Sequence, residues 1–313
     1  MDKNRKLFEQ ELERLLPQTQ IRKEEPLSRH TTFRVGGPAE YFVMPAMEQV
    51  PKVVALCRQY ELPLTVIGNG SNLLVSDSGL RGVVLEFGKE ASGIRPENEA
   101  DLVVQAGTLL SETASFAAKH ALAGMEFAAG IPGSVGGAVV MNAGAYGGEM
   151  KDVLSAVRVL TKDGQIRVRP ADELDLSYRH SRMMDEDELV LEARIHLTPG
   201  QEAEIRARMD ELRNKRVEKQ PLEYPSAGST FKRPEGYFAG KLIEDAGLRG
   251  FRVGDAQVSE KHCGFVINRG EATAAQIMEL MRLVQERVKE NSGVDLEPEV
   301  RLLGFGDSGL CAR

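Results

Sequence analysis

The chain has 313 residues, a length typical of about two domains. Hydrophobic residues make up 42% of it and charged residues 28%, which is the composition of an ordinary soluble protein. The net charge of −7 at pH 7 argues against a general nucleic-acid-binding protein, because such proteins are usually basic. A local basic pocket for an anionic ligand stays compatible with these totals.

Cysteine use and hydropathy predict a cytoplasmic protein. Cys57, Cys263 and Cys311 lie far apart and form no CxxC pair, so we expect free thiols in a reducing compartment. The charged N-terminus, MDKNRKLFEQELERLL, lacks the apolar region of a signal peptide. The uncharged stretch at 127–148, FAAGIPGSVGGAVVMNAGAYGG, is a poor transmembrane helix because it contains seven glycines and a proline.

Short strands and amphipathic helices alternate up to Pro199-Gly200. Apolar residues at helical spacing predict helices, and β-branched runs bounded by glycine or proline predict strands. Asp163-Gly164 between two such runs predicts a hairpin. The predicted elements are a short helix containing Leu7, Leu12, Leu15 and Leu16, strands over 30–45, 64–77, 82–87 and 101–107, helices over 47–63 and 109–122, the hairpin over 153–170, and a strand over 188–199.

A highly charged helix over 201–220 opens the remainder of the chain, and its start is the predicted domain boundary. The pattern predicts an α+β domain of about 200 residues and then a smaller α+β domain of about 110. The further elements are a loop over 221–234, a helix over 237–247, a strand near 265–267, a helix over 273–293 and a strand over 296–304.

Three glycine segments in the first domain, RVGGPA (34–39), GNGSNLL (68–74) and the stretch at 127–148, predict a shared anionic ligand. Glycine lets a ligand approach the backbone, and consecutive N–H groups make a concave anion site. Common phosphate motifs are absent, since Leu73 replaces the last glycine of GxGxxG and no GxxxxGK[ST] occurs. The alternative, separate surface loops or tight packing, stays open for each segment.

Three residues in the second half are candidates for chemistry. Arg179, in SYRHSRM, could clamp a carboxylate or phosphate with its planar fork, although a surface ion pair is the alternative. Ser229 lies in the small-residue loop YPSAGSTFKRP, where a turn-capping serine is the alternative. Glu299 shares a strand face with Glu297 and is either a positioned acid or a solvated glutamate. The five histidines show no ligand spacing, so no metal is predicted.

Eight segments occur in the order RHTTFRVGGPAEYFV, IGNGSNLLVSDSGLRGVVLEF, GIPGSVGGAVVMNAGAYG, YRHS, YPSAGSTFKRP, AGKLIEDAGLRG, AQVSEKHCGFVIN and LEPEVRLLG. Together they resemble the UDP-N-acetylmuramate dehydrogenase family, whose members are also called UDP-N-acetylenolpyruvoylglucosamine reductases. Each segment alone is a weak signal, whereas the ordered set is specific and covers nearly the whole chain.

The resemblance implies a flavin-binding fold of the vanillyl-alcohol-oxidase type, with two α+β lobes over 1–200. It implies a C-terminal α+β substrate-binding domain over 201–313, with the return of the last strand and tail to the first domain left open. FAD would be bound, and NADPH would be the co-substrate for reducing a UDP-sugar enolpyruvyl ether in peptidoglycan precursor synthesis. The implied cofactor-binding residues are Gly68, Asn69, Gly70, Ser71, Asn72, Gly130, Gly133, Ser134, Gly136, Gly137, Asn142 and Gly144.

By motif position, the resemblance assigns catalytic roles to Arg179, Ser229 and Glu299. Arg179, helped by Glu299, would stabilise negative charge that develops on the substrate carboxylate, and Ser229 would donate a proton. The predicted substrate-binding residues are Lys232, Lys241 and Gln257, with Tyr146 as either a pocket residue or a packed aromatic.

Some family members insert a loop between the arginine and serine motifs that supplies a tyrosine over the substrate. This chain has no such insert and resembles the shorter class. Two other functions stay open: an FAD-dependent oxidase or dehydrogenase of the same fold, which would explain the glycine segments but not the catalytic set, and a non-catalytic nucleotide-binding module. No nucleic acid, membrane or obligate protein partner is predicted.

Overall fold

The computed structural model describes residues 3–306, which mix α-helices with β-strands and confirm the predicted α+β class. Short 3₁₀ helices and turns join these elements. The helices are α1 (Lys3–Leu15), α2 (Val50–Gln59), α3 (Leu110–Lys119), α4 (Val135–Val140), α5 (Arg182–Glu186), α6 (Glu202–Lys219), α7 (Ala239–Asp245) and α8 (Ala274–Ser292).

Most strands are short, and the longest, β13 (Leu189–His196), has eight residues. They are β1 (Ile21–Pro26), β2 (Pro38–Val43), β3 (Leu64–Ile67), β4 (Leu73–Val75), β5 (Leu80–Glu86), β6 (Ile94–Pro96), β7 (Asp101–Gln105), β8 (Leu122–Ala123), β9 (Gly144–Ala145), β10 (Gly148–Glu149), β11 (Leu154–Leu160), β12 (Ile166–Pro170), β13 (Leu189–His196), β14 (Thr198–Pro199), β15 (Arg252–Val253), β16 (Ala256–Val258), β17 (Val266–Asn268) and β18 (Arg301–Leu303).

The chain divides into two compact units, and both are discontinuous in sequence. The first unit contains the residues up to Lys23, Tyr41–Asn69 and Gly82–Arg216. The second contains Glu24–Glu40, Gly70–Arg81 and the chain from Val217 onward. The boundary predicted at residue 200 concerns functional domains, and it stays a prediction.

A five-stranded antiparallel sheet of order β12-β11-β13-β7-β6 forms the centre of the first unit. Alternation along β13 buries Ala193 and Ile195 while Arg194 and His196 face solvent, as the pleat requires. Helix α4 packs on β13 and β7. A four-stranded sheet has the order β1-β2-β5-β3, in which β3 and β5 pair in parallel. Phe8 of α1 packs edge-on against Tyr41 and Tyr60.

The second unit is organised around α8. Its N-terminus is capped by the Thr273 side chain, and Asp77 accepts hydrogen bonds from Ala274 N and Ala275 N. The helix packs on α7 and on the antiparallel sheet β15-β16-β17. Strand β18 pairs in parallel with β4, so the end of the described chain joins a strand from its first quarter.

The structure shortens several of the predicted strands. The strand predicted over 296–304 is present only as β18, so Glu297 and Glu299 lie outside it. The hairpin over 153–170 is present as β11 and β12. In the segment 30–45 only β2 is extended, because Gly37 N donates to Ser76 O and the preceding residues turn. The segment 64–77 forms β3 and β4, which pair in different sheets on either side of the glycine turn.

Two of the three cysteines lie in the described part of the chain, and both are buried free thiols, in agreement with the prediction. Burial raises the pKa of Cys57 to about 12 and also raises the pKa of Cys263. Cys311 lies outside the described residues. Among residues 3–306, no helix is long and apolar enough to cross a membrane.

Candidate functional site

The glycine-rich segment, residues 127–148, contains α4. Main-chain hydrogen bonds join it to the connection between β7 and α3. Leu110 N donates to Gly133 O at 2.9 Å, and Val135 N donates to Thr108 O at 2.8 Å. A Cβ atom on Gly136 would lie 2.8 Å from Ala106 Cβ, so this glycine allows close packing. The packing alternative therefore accounts for Gly136, although direct cofactor contact by the segment stays a prediction.

Ser134, immediately before α4, has a buried hydroxyl with no hydrogen-bond partner among residues 3–306. A Cβ atom on Gly68 would lie only 2.2 Å from Ser134 Oγ. Asn69 Nδ2 donates to Pro132 O at 2.7 Å, which joins two of the predicted cofactor segments within the first unit. A buried hydroxyl beside bare backbone is a suitable partner for a ligand oxygen, because an unpaired buried polar group is otherwise costly. These residues fit a phosphate group of FAD.

The other predicted cofactor residues of the glycine-rich segment have protein contacts. Asn142 is fully buried and hydrogen-bonded on both ends of its amide. A Cβ atom on Gly144 would meet Glu149 Cβ and Gly148 O at 2.7 Å, so Gly144 serves the β9-β10 hairpin. A Cβ atom on Gly137 would lie 3.7 Å from Ser134 Oγ.

Arg179 lies at a tight turn, Ser177–Ser181, which we call the arginine turn. Ser177 and His180 exchange two main-chain hydrogen bonds of 3.2 Å, and Arg179 adopts a left-handed φ of 57°. The guanidinium of Arg179 stands over the Tyr178 ring at 5.0 Å from its centroid. Ser181 Oγ donates to Val140 O at 2.7 Å. The turn thus presents a half-buried arginine next to the end of α4.

Arg216 was not identified from the sequence. A Cβ atom on Gly130 would lie 3.4 Å from Arg216 Nη1, so the guanidinium covers the start of the glycine-rich segment. Burial lowers the pKa of Arg216, and the nearby Tyr146 opposes this shift. Arg216 follows the buried Leu212 by four positions on α6, and this spacing was the available signal that it lies on the inward face.

Ser229 and Glu299 belong to two segments that pair in the second unit, 229–232 and 297–300, called here the paired segments. Glu299 N donates to Thr230 O at 2.9 Å, and Lys232 N donates to Glu297 O at 2.8 Å. Thr230 N in turn donates to Gly264 O at 2.9 Å. Ser229 is exposed and Glu299 is half-buried. The structure therefore pairs the two segments that contain Ser229 and Glu299, two of the three predicted catalytic residues.

The remaining part of the GNGSN motif contacts the paired segments. Asn72 Nδ2 donates to Glu299 O at 3.0 Å, and Arg301 N donates to Asn72 O at 3.0 Å. Gly70 O accepts a hydrogen bond from Thr32 N at 3.1 Å. Ser71, which lies between Gly70 and Asn72 in the sequence, is half-buried. Asn72 thus fixes the backbone of Glu299 within the second unit.

The predicted substrate-binding residues of the second unit differ in their surroundings. Lys232 pairs with Glu297, and Lys241, on α7, pairs with Asp245 at 2.6 Å, which raises the pKa of Lys241. Gln257 is buried, and its Nε2 donates to Gly250 O at 3.1 Å. Its Oε1 has no partner within residues 3–306 and is available to a ligand donor.

Tyr146 is 42% exposed and has a left-handed φ of 54° in the glycine-rich segment. This exposure favours the hypothesis that Tyr146 is a pocket residue over the alternative that it is a packed aromatic. No group of three or more histidine, cysteine or acidic residues within 3–306 has the geometry of a metal site.

Comparison with known protein families gives two matches. Residues 38–169 match a family described as FAD binding domain. Residues 220–303 match the family described as UDP-N-acetylenolpyruvoylglucosamine reductase, C-terminal domain.

Curated relatives and one solved structure agree with these matches. The chain is 57% identical over 300 residues to a UDP-N-acetylenolpyruvoylglucosamine reductase of Agathobacter rectalis, covering 92% of this chain and 96% of the relative. It is 54% identical to the protein of the same name from Lachnoclostridium phytofermentans, covering 94% and 96%. The crystal structure of a UDP-N-acetylenolpyruvylglucosamine reductase from Thermus caldophilus is similar, with a TM-score of 0.78 and 39% identity over 90% of this chain and 99% of that one.

Proposed function

Because the chain belongs to the UDP-N-acetylenolpyruvoylglucosamine reductase family, we propose that it reduces UDP-N-acetylglucosamine enolpyruvate to UDP-N-acetylmuramate with NADPH and bound FAD. The observation that carries this proposal is 57% identity extending over 92% of the chain. The predicted family, flavin-binding fold, enzyme class and cofactors are confirmed by the same matches.

The cofactor would be held by the glycine-rich segment and the GNGSN motif. Within the first unit, the Ser134 hydroxyl and the bare backbone at Gly68 are the groups best suited to a phosphate oxygen. When bound, FAD supplies hydride transfer from NADPH to the substrate double bond. The further proposed contacts are Asn69, Gly70, Ser71, Asn72, Gly130, Gly133, Gly136, Gly137 and Gly144.

Arg179 would stabilise the charge that forms on the substrate. Reduction at the β-carbon of an enolpyruvyl ether places negative charge on the carboxylate as an enolate. A guanidinium is suited to this charge because its planar fork donates to both oxygens and stays protonated. A fixed turn lowers the reorganisation that such stabilisation would otherwise require.

Ser229 would donate a proton to the α-carbon, and Glu299 would assist in its acid form by hydrogen bonding to the developing enolate. A serine hydroxyl is a neutral donor, and its use requires that it be held within hydrogen-bond reach of the carbon. The main-chain bonds of the paired segments fix the backbone positions from which the Ser229 and Glu299 side chains extend. The distance between these two backbone positions therefore depends little on the side-chain conformations of other residues.

The uridine diphosphate of the substrate would contact Lys232, Lys241 and Gln257, and Tyr146 would shield it. Both lysines would exchange a carboxylate partner for phosphate oxygens, whereas Gln257 Oε1 would gain its first partner. We further propose residues 1–200 as the flavin domain, residues 201–313 as the substrate domain, and a cytoplasmic role in peptidoglycan synthesis, hence in cell shape and division. We propose no obligate protein partner.

A visible spectrum of the purified protein, followed under argon by NADPH and then by UDP-N-acetylglucosamine enolpyruvate, tests this function. We expect flavin absorbance that NADPH bleaches and the enolpyruvyl substrate restores. A colourless protein that cannot be reconstituted with FAD would contradict the proposal. Rapid recovery in air without any response to the enolpyruvyl substrate would instead identify a flavin oxidase of the same fold.

A further inference from the structure

The side chain of Asn142 connects the glycine-rich segment to the arginine turn. Its Nδ2 donates to Glu149 Oε2 at 2.7 Å and to Ser177 O at 3.1 Å, and its Oδ1 accepts from Lys151 N at 2.9 Å. Asn142 has no exposed surface. Both amide hydrogens are thus used inside the first unit, and the amide faces the protein.

The arginine turn depends on neighbouring residues for its shape. Arg179 has a left-handed φ, a backbone conformation that is unfavourable for a non-glycine residue. The Ser177 carbonyl closes the turn by accepting from His180 N, and it also accepts from Asn142. At the other end, Ser181 Oγ donates to Val140 O. Val140, the last residue of α4, and Asn142, two residues beyond it, therefore bind the two ends of the turn.

We propose that Asn142 is a positioning residue for Arg179, acting through the hydrogen bond from its Nδ2 to Ser177 O. The inference rests on the proposed function, in which Arg179 stabilises charge on the substrate. It differs from the direct cofactor contact predicted from the sequence, because a buried amide with both hydrogens donated has none for a ligand. Asparagine also tolerates the left-handed φ of 39° found here better than most residues.

The test uses the FAD-loaded full chain and two variants. Asn142→Asp keeps the acceptor for Lys151 N and removes both donors, while Asn142→Gly removes the side chain and tolerates the backbone angle. For both we expect retained FAD and an unchanged rate of flavin reduction by NADPH. We expect anaerobic reoxidation by UDP-N-acetylglucosamine enolpyruvate to slow by roughly 10- to 100-fold, since small misplacements of a catalytic group have effects of this size.

A second substitution separates positioning from stability. Glu149→Gln in the Asn142→Asp background restores a hydrogen bond between these two side chains, with residue 149 now the donor. Ser177 O still lacks the hydrogen bond that the side chain of Asn142 donates in the unmodified protein. We expect the thermal midpoint to recover in this double variant while reoxidation by the enolpyruvyl substrate stays slow. Recovery of both would overturn the inference, and so would equal loss of both half-reactions in the single variants, because each result describes a purely structural role.

Asn98→Asp is the matched control. Asn98 Nδ2 also donates to a carboxylate, Asp101 at 2.6 Å, and its Oδ1 also accepts main-chain N–H groups, but it lies outside the glycine-rich segment and the arginine turn. We expect this variant to keep both half-reactions. If the unmodified enzyme itself is not reoxidised by the enolpyruvyl substrate, the proposed function fails; if it is, and both Asn142 variants match it, the positioning role alone fails.

Discussion

Ser229 and Glu299 lie in segments that are joined by main-chain hydrogen bonds, with one added bond from the Asn72 side chain. The arginine turn, which contains Arg179, has main-chain bonds of its own and is also bound by the side chains of Asn142 and Ser181. Main-chain bonds do not use side-chain atoms, so the pairing of these two segments should tolerate most substitutions of neighbouring side chains. The arginine turn depends on buried polar side chains, and losing one leaves an unsatisfied group. Residues remote from the substrate should therefore affect turnover at the arginine turn and mainly stability at the paired segments.

The largest effect should follow Ser229→Ala. If the paired segments only present this hydroxyl, its removal leaves their backbone intact and lowers substrate turnover by about 10²- to 10⁴-fold, the usual size of a lost acid–base group. Single-turnover kinetics should show normal flavin reduction by NADPH. Ser226→Ala, in the same loop, is the control and should turn over normally. An equal loss in both half-reactions would assign Ser229 a structural role.

Thr230→Val tests whether the paired segments hold Ser229 through the main chain. The buried Thr230 Oγ1 accepts a hydrogen bond from Val266 N at 2.9 Å, and valine leaves that N–H unsatisfied. We expect the free energy of unfolding in urea to fall by about 1–3 kcal/mol. Turnover at a temperature where the variant is folded should stay close to that of the unmodified enzyme. A large fall in turnover there would show that side chains also position Ser229.

Low pH should destabilise the contact between the paired segments and Gly264, whose carbonyl accepts from Thr230 N. His262 Nδ1 accepts from Gly264 N at 3.1 Å, and burial lowers the pKa of His262 below its ordinary value of 6.5. Because the unfolded chain takes up the proton more readily, stability is lost as pH falls below about 6.5, by at most about 1.4 kcal/mol per pH unit. Urea unfolding at several pH values should show this loss reduced in His262→Gln; parallel curves for the two proteins would contradict it.

The smallest expected effects are those of alanine substitutions at two buried serines near α4, Ser134 and Ser181. Ser134 Oγ has no partner in the described protein and Ser181 Oγ donates to Val140 O, so only Ser181→Ala should destabilise the apoprotein, by about 1 kcal/mol. Ser134→Ala should instead weaken FAD binding roughly tenfold, through loss of about 1.5 kcal/mol in a bond to a charged phosphate. Fluorescence titration with FAD measures this, and unchanged affinity would remove Ser134 from the cofactor site.

Local signals predicted the parts of the fold that local interactions determine. The hairpin of β11 and β12 follows from Asp163-Gly164, and α8 follows from its apolar spacing. Helix α4 was not predicted, because two of its six residues are glycines that disfavour helix by about 1 kcal/mol each. Main-chain bonds to Thr108 and Ala106, distant in sequence, stabilise it instead.

The candidate site was predicted in its residue types and only partly in its contacts. The motifs named Arg179, Ser229 and Glu299, and the structure pairs the segments that contain the last two. The double use of Ser177 O and the cover that Arg216 gives Gly130 arise from contacts between remote segments. Such contacts have no counterpart in a short motif, and only the fold reveals them.

The parallel pairing of β18 with β4 can form only late in synthesis of the chain. Leu73–Val75 leaves the ribosome early, but its partner Arg301–Leu303 is among the last residues described. At 5–20 residues per second, the early strand waits on the order of 10–50 s for its neighbour. During that interval one edge of β4 lacks a native strand, so the nascent chain is exposed to misplaced pairing in a way that the finished enzyme is not.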